Sequence, residues 1–376
     1  MKTQNKVKDF LVKLFLFGLG SAVALILLEI GVRVAVPTWY PRGAFSADPL
    51  LGYVNTSDFT YRLVGREFDV GININGEGFR DTPWTPVLHN QPVVFAAGDS
   101  FCYGYGVHYD KTFLSLLEQQ LKARIIKGCT CGYGTFQEAL LLESRIDRYR
   151  PDLIRLSFFI GNDVYENAGV RNLTVRDGYF HEEPPENAGL LHKLITWTRN
   201  RSRLFELVIS TVKQSVPLFQ FLKHYGLAGD ALIDENDLYR PEESPKVQVA
   251  YQATEAYLDR IAATARQRNI PVAVVLIPTR RQVEPGSLVT EPGVDPSRPN
   301  RRLRQMMTTR GMKVIDLLPV MQERFAAAPN KSFYFVYDSH WNSMGHTLAA
   351  EAAARSLADL LPDRPDQSGL IDKKKD

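Results

Sequence analysis

The chain is poor in cysteine. Three in 376 residues are too few for a disulfide framework, and Cys102, Cys129 and Cys131 do not fall at metal-ligand spacing. A disulfide from Cys102 to Cys129 or to Cys131 stays open on these grounds. An excess of one charge is lacking too. Lys+Arg 45 against Asp+Glu 42 gives a formal net charge of +3, and no basic stripe is interleaved with aromatics, so the chain has no mark of a nucleic-acid partner. With 44% hydrophobic and 23% charged residues, an ordered core rather than disorder is expected.

One long hydrophobic run is present, at the N-terminus. Lys2, Lys6, Lys8 and Lys13 precede an uncharged apolar stretch, residues 14–28, and apolar residues continue past Glu29 and Arg33 to Val36. Ala22-Val23-Ala24 has the look of a peptidase site, but residues 25–28 extend the run toward membrane-spanning length, which favours an uncleaved signal anchor. By the positive-inside rule the N-terminus stays in the cytoplasm, and everything after about Pro37 lies on the periplasmic or extracellular side.

Beyond it, apolar runs near 93–97, 123–128, 153–160, 272–278 and 313–317 read as strands. Helical patterns over 111–122, 136–149, 247–268 and 301–309 alternate with them, and another runs over 343–361. This predicts an α/β fold: a three-layer α/β/α sandwich on a parallel five-stranded sheet, with an N-terminal transmembrane helix and a helical insertion. The expected organisation is 1–36 cytoplasmic N-terminus and anchor, 37–90 lead-in, 91–361 catalytic domain with the insertion at about 165–244, and 362–376 a disordered tail. Within the insertion, residues 190–225 mix Leu, Phe, Ile and Trp with Lys and Arg, as one or two amphipathic helices would. Such helices either cover the sheet edge, or form a lid or a face on the membrane. The irregular stretch 279–300 carries Arg280, suited to a substrate carboxylate or phosphate if it lines the crevice.

Strand ends are where an open α/β sheet binds ligands, and the chemistry-bearing residues fall there. Gly98-Asp99-Ser100-Phe101 ends the first run, Gly132-Tyr133-Gly134 follows the second, Gly161-Asn162-Asp163 the third, and Asp338-Ser339-His340-Trp341 precedes the last helix. Each taken alone is as well explained by a turn or helix cap. Together they supply nucleophile (Ser100), base (His340) and orienting acid (Asp338), with oxyanion donors from Ser100, Gly132 and Asn162.

These four blocks, in this order, resemble the SGNH or GDSL hydrolase superfamily, and the resemblance covers roughly residues 72–361, including the lead-in Asn75-Gly76-Glu77-Gly78-Phe79-Arg80. It places Ser100 on the nucleophile, Gly132 and Asn162 on the oxyanion hole and His340 on the base, without cofactor or metal. Three positions depart from the pattern. Phe101 stands for the usual Leu, Ile160 for the first glycine of the third block, and Tyr337 where the acid three residues before the histidine is usual. Asp338, two residues before, gives an Asp-x-His-Trp spacing similar to the alginate-acetylating branch, membrane-associated enzymes that acetylate exported polysaccharide. The α/β-hydrolase alternative requires Gly-x-Ser-x-Gly, and Cys102 stands at its last position.

The expected activity is serine-dependent hydrolysis of an acyl or acetyl ester outside the cytoplasmic membrane. The alternatives are O-acetyl transfer to an exported polysaccharide, lipid-ester cleavage, and a non-catalytic glycan-binding assembly protein that stacks sugars on Tyr103, Tyr105, Tyr133 and Trp341. The substrate partner would be an ester, such as an acylated glycan. A transferase further implies a multi-span partner that delivers the acyl donor.

Overall fold

Strand β5, Val93–Gly98, is buried at every position, and so is β10, Val272–Ile277, whose sequence is an unbroken run of Val, Ala, Leu and Ile. Unalternating apolar strands need cover on both faces, the condition of a parallel sheet between helices. In the computed structural model, which describes residues 2–35, 40–84, 91–169, 172–176, 178–184, 189–214, 235–284 and 293–362, they sit with β6 (Arg124–Cys129), β7 (Leu153–Phe159) and β11 (Lys313–Asp316) in one sheet. Its order is β11-β10-β7-β5-β6, parallel throughout, as the sequence predicts. The chain moves outward from β5 to β6, then returns past β5 to β7. That reversal opens a crevice at the carboxyl ends of β5 and β7.

Two helix pairs pack along the sheet: Phe113–Leu121 with Ser343–Ala358, and Thr135–Tyr149 with Pro245–Arg266. The stretch 279–300, read as irregular, holds a short helix at Arg280–Val283, capped by Thr279 and Gln282, and the start of Arg298–Thr308. The helix Leu318–Ala327 escaped the sequence reading. Its buried residues Leu318 and Met321 are too few to mark a periodic face.

By compactness the chain divides into two units, Tyr40–Pro185 with Ile233–Asp376, and Met1–Trp39 with Glu186–Leu232. In the first, the lead-in is more than a connection. It forms two antiparallel hairpins, β1 (Phe45–Asp48) with β2 (Gly52–Asn55) and β3 (Thr60–Val64) with β4 (Asp69–Asn73). In β3 and β4, Tyr61, Leu63, Val70 and Ile72 are buried and alternate with exposed residues, the mark of a one-sided sheet. The insertion also contributes a hairpin, β8 (Asn172–Arg176) with β9 (Tyr179–Glu183), so it is not wholly helical.

In the second unit, α1 runs over Lys2–Ala35, and its segment Phe10–Ala35 is long and apolar enough to cross a membrane, with a mean hydropathy of 2.4. Two helices of the insertion, Leu190–Arg199 and Arg203–Gln214, are amphipathic. Residues 215–225 of the stretch read as helical, and the tail from 363, lie outside the described residues.

Candidate active site

Ser100 opens a one-turn helix, Ser100–Tyr103, directly after β5. Asp99 caps it, accepting from Phe101 N–H at 2.9 Å, and Gly104 ends it with φ +77°, a left-handed cap that glycine adopts without strain. A side chain at Gly98 would collide with Cys102 and Ser157, so that glycine lets the turn sit tightly on the sheet. Cys102 is joined to Cys129 at the end of β6 by a disulfide with a Cα separation of 5.6 Å, and Cys131 is free and buried. The disulfide ties the serine turn to the neighbouring strand end.

The turn is also held from outside. Arg80, buried and carried by the lead-in, donates from Nη1 to Gly104 O at 2.6 Å and Tyr103 O at 3.2 Å, and from Nη2 to Val107 O at 2.8 Å.

His340 reaches Ser100 across the crevice, with its Nε2 2.7 Å from Ser100 Oγ, and its Nδ1 lies 2.5 Å from Asp338 Oδ1. The same Asp338 oxygen accepts His340 N–H at 2.9 Å, a local turn that the two-residue spacing makes possible. Burial opposes the Asp338 charge, but the His340 ring and its hydrogen bonds hold the carboxyl below its ordinary range. An ionised carboxylate only accepts, so His340 Nδ1 carries the proton and Nε2 is left to accept from the serine hydroxyl. Phe101 and Tyr105 rings lie 5.0 and 4.5 Å from the imidazole and restrict its rotation.

The 334–342 loop is braced on both sides. Glu67, from the β3–β4 turn, accepts the N–H groups of Val336 and Tyr337, each at 2.7 Å, while Arg66 lies 3.7 Å over the Tyr337 ring. Tyr337 thus fills the usual acid position without facing the histidine. Arg280 donates to Val336 O at 3.0 Å and Phe335 O at 3.3 Å and pairs with Glu284. The side chain read as a possible substrate anchor is engaged in the scaffold.

Gly132 follows β6 with φ +80°, and a Cβ there would strike the Tyr53 hydroxyl and Leu173, so the position demands glycine twice over. Tyr53 donates to Cys131 O at 3.0 Å, and Asn55 donates to Thr130 Oγ1 at 3.1 Å. Asn162, after β7, stands at the N-cap position of the short helix Asp163–Glu166 without a side-chain capping bond, and its amide donates to Glu166 at 3.2 Å. Ser100, Gly132, Asn162 and His340 are each only partly covered, whereas Phe101, Tyr105, Tyr133, Asp163 and Trp341 beside them are buried. The Ser100 N–H belongs to the first residue of a helix, where no intrahelical acceptor exists.

Beneath the crevice lies a set of buried titratable groups, of which sequence reading singled out neither Glu138 nor Arg155. Burial raises the Asp99 carboxyl to about 6, against the lowering effect of Phe101 N–H, His340 and Asn162. Burial also raises Glu138 and Asp163, each pushed further by Asp99, while Arg155, fully buried on β7, is lowered to about 9. The aromatics considered for sugar stacking are interior: Tyr103, Tyr105, Tyr133 and Trp341 are all buried, and Trp341 packs on Phe101 and Phe113. That removes the surface on which the non-catalytic glycan-binding alternative rested.

Residues 235–374 match the family model of an SGNH hydrolase-like domain, acetyltransferase AlgX. No curated protein matches the chain in sequence. Among solved structures, a lipolytic protein of the G-D-S-L family from Desulfitobacterium hafniense DCB-2 is similar at 15% identity and TM-score 0.34, over 70% of this chain and 98% of that one. Axe2, an acetylxylan esterase from Geobacillus stearothermophilus, is similar at 12% identity and TM-score 0.36, over 73% of this chain and 97% of that one. Of the residues that carry the resemblance to the SGNH hydrolases, Asp338 and His340 lie inside the matched stretch, whose model is described as an SGNH hydrolase-like domain of the acetyltransferase AlgX, while Ser100, Gly132 and Asn162 precede it.

Proposed function

We propose that this protein acts on acyl esters through a covalent Ser100 intermediate, outside the cytoplasmic membrane and anchored to it by α1. The observation that carries the reading is the hydrogen-bond chain Ser100 Oγ to His340 Nε2 and His340 Nδ1 to Asp338. In the first half-reaction His340 takes the serine proton as Oγ bonds to the ester carbon. The negative oxygen then faces the Ser100 and Gly132 N–H groups and the Asn162 amide, and the alcohol departs with the proton from His340. In the second half, His340 deprotonates an acceptor that attacks the acyl-serine, and the carboxyl or new ester leaves as Ser100 regains its proton.

Water as acceptor makes the protein a hydrolase; a sugar hydroxyl makes it a transferase. The match of residues 235–374 to an acetyltransferase domain favours the second reading, acetyl transfer to an exported polysaccharide. A multi-span partner would then deliver the acyl donor. Purified full-length protein incubated with an acetyl ester, with and without a glycan acceptor, separates the two. Acetylated glycan with little acetate released alone supports transfer, and acetate release at the same rate without glycan supports hydrolysis. Lipid-ester cleavage predicts faster turnover as the acyl chain lengthens.

A further inference from the structure

Glu29 is the one acidic residue of the apolar segment Phe10–Ala35, and its carboxylate is fully engaged. It accepts Ser202 Oγ at 2.8 Å, Arg203 N–H at 2.9 Å and Leu204 N–H at 2.9 Å, which are the free donors at the start of the helix Arg203–Gln214, and Arg33 Nε at 2.6 Å. Arg33 also donates to Arg201 O at 2.7 Å. The insertion's helical hairpin is therefore fastened to α1 by a capping carboxylate that α1 itself supplies.

The depth of this clamp is set by α1. Counting from Phe10 at ~1.5 Å per residue, Glu29 lies ~28 Å along the segment, close to the edge of a hydrocarbon core about 30 Å thick. With α1 as the span, whatever is bound to Glu29 would sit at the membrane interface. The hairpin presents there what an interface favours. Leu190, Leu194 and Trp197 recur at helical spacing and are 85%, 56% and 54% exposed, and Leu207 and Val208 are exposed on the second helix. Arg201 lies 4.6 Å over the Trp197 ring, and Arg201 and Arg203 stand at the turn between the helices beside Arg199, which pairs with Glu206. Apolar side chains, an aromatic belt residue and a basic turn together suit the headgroup region of an anionic leaflet. A groove of about 570 Å³ between α1 and the hairpin, walled by Leu25, Ile26, Ile30, Trp197, Phe205 and Val208, offers room for acyl chains.

We propose that the hairpin Leu190–Arg199 and Arg203–Gln214 is a membrane-surface module, held by the Glu29 clamp at the outer interface of the bilayer that α1 crosses. It rests on the reading of α1 as an anchor and gives the insertion a lipid partner instead of a role as a sheet cover or lid.

The test uses the full-length chain reconstituted in vesicles of phosphatidylethanolamine and phosphatidylglycerol. Resistance to carbonate extraction reports the anchor, and quenching of Trp197 fluorescence by lipids brominated near the headgroup reports the hairpin. Trp197→Phe isolates the signal. The expected result is an extraction-resistant protein whose lipid-quenched emission loses a component in Trp197→Phe. In Glu29→Leu, which keeps the span apolar, Trp197 becomes less quenched by lipid and more by aqueous acrylamide. An extraction-resistant protein whose Trp197 answers to acrylamide alone would overturn the hairpin proposal and leave the anchor standing. An extractable protein would overturn both.

Discussion

The two loops that meet in the crevice are held in different ways. The Ser100 turn takes its shape from neighbours in sequence, a buried strand, the Asp99 cap, Gly98 and Gly104, and is then fastened by Arg80 and the Cys102–Cys129 disulfide. The His340 loop takes its aspartate from two residues away, but its backbone is held by Glu67 and Arg280, 270 and 56 positions distant from the groups they bind at the furthest. The shape of the nucleophile's turn is thus encoded locally even though distant groups fasten it, whereas the backbone course of the base's loop depends on tertiary supports. Substitutions at the reacting groups should strike harder than substitutions at the supports.

The largest effect in the His340 loop is expected from Asp338→Asn. The neutral amide no longer favours the tautomer that leaves Nε2 free, and kcat on an acetyl ester should fall roughly 10⁴-fold with the fold intact by circular dichroism. Retention of activity within tenfold would move the acid role elsewhere. Next is Asn162→Ala, which removes one oxyanion donor and should lower kcat by about 10²-fold to 10³-fold while KM changes little. A change confined to KM would make Asn162 a substrate-binding residue.

The supports come third. Glu67→Ala releases the N–H groups of Val336 and Tyr337 and should cost about tenfold in kcat through misplacement of His340, since positional errors of about 1 Å cost up to 10²-fold. Arg280→Ala should act in the same direction. If both left turnover unchanged while the corresponding turn around Ser100 tolerated nothing, the contrast between the loops would be lost.

The smallest effect concerns the other histidine of this region. His346 accepts Phe113 N–H at 3.1 Å and is pushed from 6.5 to about 3 by burial, with Arg80 and His340 adding to the shift. The unfolded chain therefore binds a proton between these values that the folded chain does not, so stability falls as pH drops from 6.5 toward 3. Asp99 works the other way, since its folded value of about 6 lies above the ordinary 3.8, and acidification from 6 to 3.8 favours the fold. His346→Asn should make the acid fall in Tm shallower, and an unchanged slope would show that other groups dominate it.

Much of the site was legible because it is written in short stretches. Five apolar runs marked the sheet, and Ser100, Gly132, Asn162 and His340 each stand beside a strand end or before a helix. What escaped notice joins distant parts of the chain. Arg80, Glu67 and Tyr53 act on loops that only the fold brings near them, and nothing in their local sequence announces it. Arg155 and Glu138 interrupt buried elements where apolar residues are the rule, a signal the sequence itself carries. The aromatics near Ser100 show the reverse. A ring close to a site in sequence can equally belong to the core, and Tyr103, Tyr105, Tyr133 and Trp341 are all buried.

The central claim, that Ser100 is the nucleophile, is tested most directly by labelling. Wild-type protein in vesicles should react with a fluorophosphonate probe, with the adduct mapped by mass spectrometry to Ser100, and Ser100→Ala should not react at all. Labelling that survives in Ser100→Ala, or an adduct on another residue of the wild type, would contradict the account.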